Sequence, residues 1–398
     1  MNLPAITTVR RLWGSRSRSF LFPALMLTLM RGVGHSQNPA SFPPATPAAP
    51  AALPADFDAQ MERVLRTFAV PGMAVAIVKD GVPVLTKGYG ARRMGDSLPV
   101  DQNTLFCIAS NSKAFTGAAL GMLVEEGKLE WDAPVIRYLP WFQMSDPWVT
   151  REITVRDLLV HRSGLGLGAG DLLIWPPSGH SRKEVVRRLR HVPTVTSFRS
   201  RYAYDNVLYL VAGEVVEAVS GQSWEEFVTT RILKRLGMDS SLSSLVGAEH
   251  APALAAPHAV IEGKLKPVDY FSADSINPAG GITSSAADMS RWLRTLLAGG
   301  KIPDRGEERL FTEKTGRELM TPVTPMPIDD PAPELAGLRM NFCGYALGFS
   351  VRDYRGCRLV THTGGLPGYA SRVMLIPERG LGMAVLTNQE SGEAFNAV

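Results

Sequence analysis

Apolar positions recur along this chain in two rhythms. Phe57, Met61, Val64, Leu65 and Phe68 fall at i, i+4, i+7, i+8 and i+11, the spacing of one helical face, with Asp56 ahead of them as N-cap. Met73 to Lys79 and Val82 to Tyr89 are β-rich runs on either side of Asp80-Gly81, a two-residue hairpin signal. β character returns at the far end, in Tyr345 to Arg352, Arg358 to His362, Arg372 to Pro377 and Leu381 to Thr387. Between the two ends the period is helical, in Ser110 to Glu126, Thr154 to Val160, Asn206 to Val219, Trp224 to Leu236 and Ser285 to Leu297. Two sheet-forming ends around a helical centre predict an α/β (α+β) fold. One antiparallel sheet is built from both chain ends and flanked by helices, with an all-helical lobe inserted between them.

The first 56 residues follow neither rhythm. Residues 1–36 read as a signal peptide, with arginines first, then the 11-residue run Phe20 to Met30, then the small residues Gly34 and Ser36 before a cut at Gln37. That run contains Pro23 and is shorter than the roughly 20 residues a membrane span needs, so no stable membrane span is expected in the mature protein. Export to the periplasm or outside the cell follows, by the general secretory route rather than the twin-arginine one, since the Arg10-Arg11 pair lacks the surroundings of that signal. Residues 37–56 hold Pro39, Pro43, Pro44, Pro47, Pro50 and Pro54 among alanines, a linker that buries little. Residues 57–398 form the folded domain.

Composition narrows the function classes. With 45% apolar and 20% charged residues in 398, the chain is too apolar for disorder. Its net charge of +4 suggests a nucleic-acid partner only until the charges are located. The leader removes five of the 42 bases and none of the 38 acids. No nucleic-acid partner is expected, and Arg162, Trp175, Arg187, Arg188 and Arg190 read as solvated or packing residues. Three cysteines, Cys107, Cys343 and Cys357, cannot make a disulfide framework. Seven scattered histidines without metal-ligand spacing point to no metal site.

Three short segments carry chemistry. In Ser110-Asn111-Ser112-Lys113 the serine stands at the start of a helix, where backbone N–H groups favour developing negative charge, and the lysine follows one turn later on the same face. A lysine base must be neutral, which burial promotes. A chain of this length holds about one S-x-x-K by chance, so a capping serine beside a solvated lysine reads equally well. Tyr204-Asp205-Asn206 opens another apolar helix; a tyrosine near a lysine can relay a proton and an asparagine amide can meet a substrate amide, or Asn206 simply caps the helix. His362-Thr363-Gly364-Gly365 ends a predicted strand, with glycines that let backbone approach a ligand. The glycine-rich Gly164 to Gly170 does not fit a dinucleotide fingerprint and reads as a mobile surface loop.

In this order and spacing, the segments resemble the serine β-lactamase and penicillin-binding-protein superfamily, and within it the class C β-lactamase-related serine hydrolases. Leu105 to Ala109, Leu158 to Leu165, Pro278 to Ser285 and Gly368-Tyr369 are similar too, so the resemblance spans 57 to 398. It implies a β-lactamase/transpeptidase-like fold, Ser110 as nucleophile, Lys113 and Tyr204 as the proton-transfer pair, and Asn206, His362, Thr363 and Gly364 as substrate-binding residues. The backbone N–H groups of Ser110 and Gly365 would form the oxyanion hole. No metal or organic cofactor is implied; the partner is a small-molecule or peptide substrate, and no oligomeric state is assigned. His362 stands where class C β-lactamases carry lysine, which favours ester, amide or D-amino-acid peptide hydrolysis over β-lactamase or D-Ala-D-Ala carboxypeptidase action. A non-catalytic peptidoglycan-peptide-binding envelope protein is the alternative from another class. His161, in Leu158 to Leu165, reads as structural rather than as the base of a Ser-His dyad. The resemblance also implies a longer C-terminal helix than the segment from Ser391 to Val398 supplies.

Overall fold

A computed structural model describes residues 53–331 and 333–398. The expected signal peptide and most of the linker lie outside the described residues. Helix α1 (Phe57–Thr67) buries Met61, Val64 and Leu65, the face its spacing announces. Asp56 makes no side-chain cap bond. The acid of the first turn, Asp58, is instead drawn to the sheet, accepting hydrogen bonds from Lys87 Nζ and Tyr89 OH at 2.8 Å each.

Strands β1 (Gly72–Lys79) and β2 (Val82–Gly90) form the expected hairpin. Asp80 and Gly81 turn it with φ of 51° and 78°, the left-handed pair that matches strand twist. The remaining strands of the sheet are β3 (Thr324–Pro325), β4 (Cys343–Tyr345), β5 (Ser350–Tyr354), β6 (Cys357–Leu366), β7 (Tyr369–Ile376) and β8 (Leu381–Thr387). The spatial order is β2-β1-β8-β7-β6-β5-β4-β3, antiparallel throughout. Both chain ends therefore share one sheet, joined where Val75 pairs with Val385. The run Tyr345 to Arg352 is two strands rather than one, because Ala346 N–H bonds Phe349 O at 2.7 Å and folds the chain back.

Both faces of the sheet centre are covered, which is why β1 reads as a continuous apolar run. Met73, Val75 and Ile77 meet α1 and the short helix at Gly392–Ala397. Ala74, Ala76 and Val78 face the larger core with the helical segments. Helix α2 (Lys113–Glu125) is buried on every side through Leu123, as its near-total lack of polar positions requires. Gly117 lets it come close to the turn between β4 and β5: a Cβ there would lie 2.4 Å from Leu347 O. Helices α3 (Val207–Ser220) and α4 (Ala286–Leu297) stand where their periodicity predicts, with Ser285 Oγ capping α4 through Asp288 N–H at 3.2 Å.

The inserted lobe is not all helical. It holds the strand pairs Phe106–Cys107 with Thr283–Ser284 and His258–Ile261 with Lys264–Pro267. The second is a hairpin whose Glu262-Gly263 turn has positive φ at both residues. Thr154 to Val160 contains only the single turn Arg156–Leu158. There the Asp157 carboxylate takes Thr154 N–H and Oγ–H at 2.9 and 2.8 Å, offering the backbone a partner other than a helix. Among the described residues no helix is long and apolar enough to cross a membrane.

Candidate active site

Ser110 is set by strands rather than by a helix alone. Cys107 pairs with Thr283, Ile108 N–H bonds Ile282 O at 2.9 Å, and Ala109 then turns the chain with φ of 48°. Ser110 lies in the tight turn Ala109–Ser112 just ahead of α2, not in the α-helix itself. Ser112 Oγ accepts Ile282 N–H at 3.0 Å and ties the turn down. From the first turn of α2, Lys113 Nζ reaches Ser110 Oγ at 2.9 Å, Asn206 Oδ1 at 2.9 Å and Ala279 O at 3.0 Å. Its side chain is fully buried, and burial pulls the amine down to about 7, against the opposing pull of Asp205 and Asp171. The solvated lysine of the bland reading is not what this chain builds.

Tyr204 OH lies 2.9 Å from the same Ser110 Oγ. Burial holds its phenol well above the usual range, so it stays protonated and donates. Asp205, not Asn206, caps α3, accepting Leu208 N–H at 3.0 Å. Asn206 is thereby released to the site, where its Oδ1 faces Lys113 and its Nδ2 donates to Asp171 Oδ2 at 3.3 Å.

Strand β6 is pressed against the serine segment. A Cβ at Gly364 would fall 2.2 Å from Ile108 O, and Ser371 Oγ, next door on β7, donates to that carbonyl at 2.7 Å and accepts from Asn111 Nδ2 at 2.8 Å. Gly364 therefore serves the approach of strand to nucleophile and lines neither cavity beside Ser110, whereas His362, Thr363 and Gly365 do line them. His362 Nδ1 lies 2.6 Å from Thr363 O and Nε2 2.8 Å from Tyr345 OH. A carbonyl can only accept, so the imidazole proton sits on Nδ1 and Nε2 accepts from the tyrosine. Burial first, and Lys113 second, push this histidine down to about 3, so it is neutral.

Two cavities meet at Ser110. One, about 540 Å³, is walled mainly by apolar side chains, among them Leu172, Trp175, Ile276, Leu366 and Tyr369, with Asp171 and Glu390 as its carboxylates. The other, about 470 Å³, carries more polar side chains, with Tyr202, Tyr345, His362, Arg352 and Arg372 on its walls. Among the described residues neither arginine forms an ion pair; Arg372 donates to Asn396 Oδ1 and, at 3.4 Å, to Thr361 Oγ1, and the buried Arg352 Nε has no hydrogen-bond partner. Most of these wall residues carry no signal in the sequence. Trp175, expected to pack or face solvent, lines the cleft, as do Leu167 of the glycine-rich loop and Asp171 just after it. Asp171 had no sequence signal beyond that loop, and Arg352 and Arg372 are recognisable only once strand register is known.

The chain is 30% identical over 355 residues to the unguisins hydrolase ungD' of Aspergillus campestris, covering 86% of this chain and 62% of that protein. It spans about three fifths of the length of the curated relatives it matches. Among solved structures it is similar to the octameric penicillin-binding protein homologue from Pyrococcus abyssi, with a TM-score of 0.72, 28% identity and coverage of 83% of this chain and 72% of that one. It is also similar to a penicillin-binding protein from Bacillus halodurans, with a TM-score of 0.68, 25% identity and coverage of 85% and 97%. Residues 57–398 match the Beta-lactamase family as a whole. With a buried lysine and a tyrosine converging on one serine oxygen and a family match over most of its length, the chain belongs to the Beta-lactamase family, in the serine β-lactamase and penicillin-binding-protein superfamily.

Proposed function

We propose that this protein is an exported hydrolase that cleaves an ester, amide or D-amino-acid peptide through an acyl-enzyme on Ser110. The observation that carries the reading is the convergence of Lys113 Nζ and Tyr204 OH on Ser110 Oγ, each at 2.9 Å, with the amine buried. A neutral Lys113 takes the hydroxyl proton as Ser110 Oγ attacks the carbonyl carbon. The oxyanion forms against the backbone N–H groups of Ser110 and Gly365. As the tetrahedral centre collapses, the bond to the leaving group breaks and Tyr204 gives that group its proton. A water then returns a proton to the Tyr204 phenolate while its oxygen attacks the acyl carbon. Ser110 leaves with the proton held by Lys113, and the free enzyme is restored.

The largely apolar cavity suits a bulky acyl group, which supports the esterase and peptidase readings, and the neutral His362 supports them too. A second reading rests on Arg352 and Arg372. Two guanidinium groups without ion pairs favour a carboxylate on the other side of Ser110, as a D-Ala-D-Ala carboxypeptidase or a β-lactamase would meet. Intact-protein mass spectrometry after a fluorophosphonate, and separately after a labelled penicillin, tests the acyl-enzyme. An adduct on the wild type that Ser110→Ala removes is expected. No adduct with either reagent, with unchanged peptide binding by Ser110→Ala, would leave the non-catalytic binding protein. Rates on p-nitrophenyl acetate, nitrocefin and D-Ala-p-nitroanilide then rank the substrate classes.

A further inference from the structure

We infer that His161 is a positioning residue for Tyr204, gripping the backbone N–H groups of the residues on both sides of it and backing its ring. The inference rests on the acyl-enzyme reading above. Tyr204 stands in an irregular stretch between Ser200 and α3, with no strand ladder to fix it. His161 supplies the missing bonds: its carbonyl accepts Ala203 N–H at 2.8 Å and its ring Nδ1 accepts Asp205 N–H at 3.2 Å. Between these two anchors the imidazole packs on the Tyr204 ring, centroids 4.2 Å apart at 36°.

Reaching both anchors has a conformational cost. His161 adopts φ of 54°, a region that side-chain-bearing residues avoid unless their surroundings hold them there. Because Nδ1 accepts, the proton is on Nε2, which is buried without a hydrogen-bond partner. The ring of Tyr345, 4.4 Å away at 61°, lies beside the imidazole on another side. The Asp205 N–H thus fixes the tautomer, and with it the orientation of the imidazole beside Tyr204. His161 lines neither cavity beside Ser110, so it acts on the reaction indirectly, through the residues it holds, Tyr204 first among them.

The test compares the full-length wild type with His161→Ala and His161→Asn. Asparagine tolerates the left-handed backbone, and its amide oxygen stands near the Nδ1 position, able to take Asp205 N–H. In His161→Ala, kcat should fall about a hundredfold, the order expected when a reacting group is misplaced by about 1 Å, with KM within about twofold. His161→Asn should regain about tenfold, the worth of one hydrogen bond. Crystal structures of the folded variants should show Tyr204 OH displaced from Ser110 Oγ in His161→Ala and returned in His161→Asn. A folded His161→Ala with wild-type kcat and Tyr204 in place would overturn the inference while leaving the acyl-enzyme intact. If the wild type shows neither turnover nor an adduct, the functional reading falls. The crystal comparison then still decides whether His161 places Tyr204.

Discussion

Lys113 Nζ has three oxygen neighbours, Ser110 Oγ, Asn206 Oδ1 and Ala279 O, and they fit either of its charge states. As an ammonium it donates to all three; as an amine it donates to Asn206 and Ala279 and accepts from the serine. Burial favours the amine above about pH 7. Only the amine can take the Ser110 proton, so the single-turnover rate of acylation should rise with pH through about 7 and then level off. Stopped-flow acylation with a chromogenic ester checks this, and Lys113→Met should leave no such limb. Tyr204 has the opposite character, a phenol held in its protonated form. Tyr204→Phe should slow amide cleavage by roughly 10²- to 10⁴-fold, the usual worth of a general acid. It should slow p-nitrophenyl ester cleavage far less, because p-nitrophenolate leaves without a proton. Equal losses on both substrates would reassign the tyrosine to Ser110 activation alone.

At the level of elements, two close approaches hold the site together, and each rests on a glycine. Alanine at 117 would gain about 1 kcal/mol of helix propensity, but its Cβ would sit 2.4 Å from Leu347 O in a packed core, and overpacking costs about 1–3 kcal/mol. The clash should win. Gly117→Ala is expected to lower the melting temperature, measured by circular dichroism, whereas an exposed helix glycine replaced by alanine would raise it. Gly364→Ala meets Ile108 O at 2.2 Å and should move β6 away from Ser110, cutting acylation more than it cuts stability. The elements were legible in proportion to how much of their environment their own sequence carries. The apolar surround of α2, the Asp80-Gly81 hairpin and the Ser110 to Lys113 spacing are local signals, and the structure holds all three. The break between β4 and β5, the pull of Asp58 towards Lys87 and Tyr89 and the cleft walls at Asp171, Trp175, Arg352 and Arg372 come from partners distant in sequence. No window along the chain contains those partners.

For the molecule as a whole, the site draws on the stability of the fold. Unfolded, Lys113 keeps its proton up to its ordinary 10.5; folded, it gives the proton up near 7. Between those values unfolding takes up a proton, so stability should rise with pH across that window, by up to about 1.4 kcal/mol per pH unit. Denaturant melts of wild type and Lys113→Met between roughly pH 7.5 and 9.5 should diverge with this slope; parallel curves would mean the folded lysine is not depressed. The sheet adds a constraint of another kind. Gly72 N–H bonds Asn388 Oδ1 at 2.8 Å across 316 positions of chain, and β6, which faces the serine, precedes only β7 and β8. Contacts so far apart in sequence form late. On the ribosome, Ser110 and Lys113 emerge well before Tyr204, Asn206, Tyr209 and Ala279, the groups packed around the amine, and an exposed lysine keeps its proton and cannot act as a base. A nascent chain is thus born disarmed, and the reactive pair is switched on only when these later segments dock.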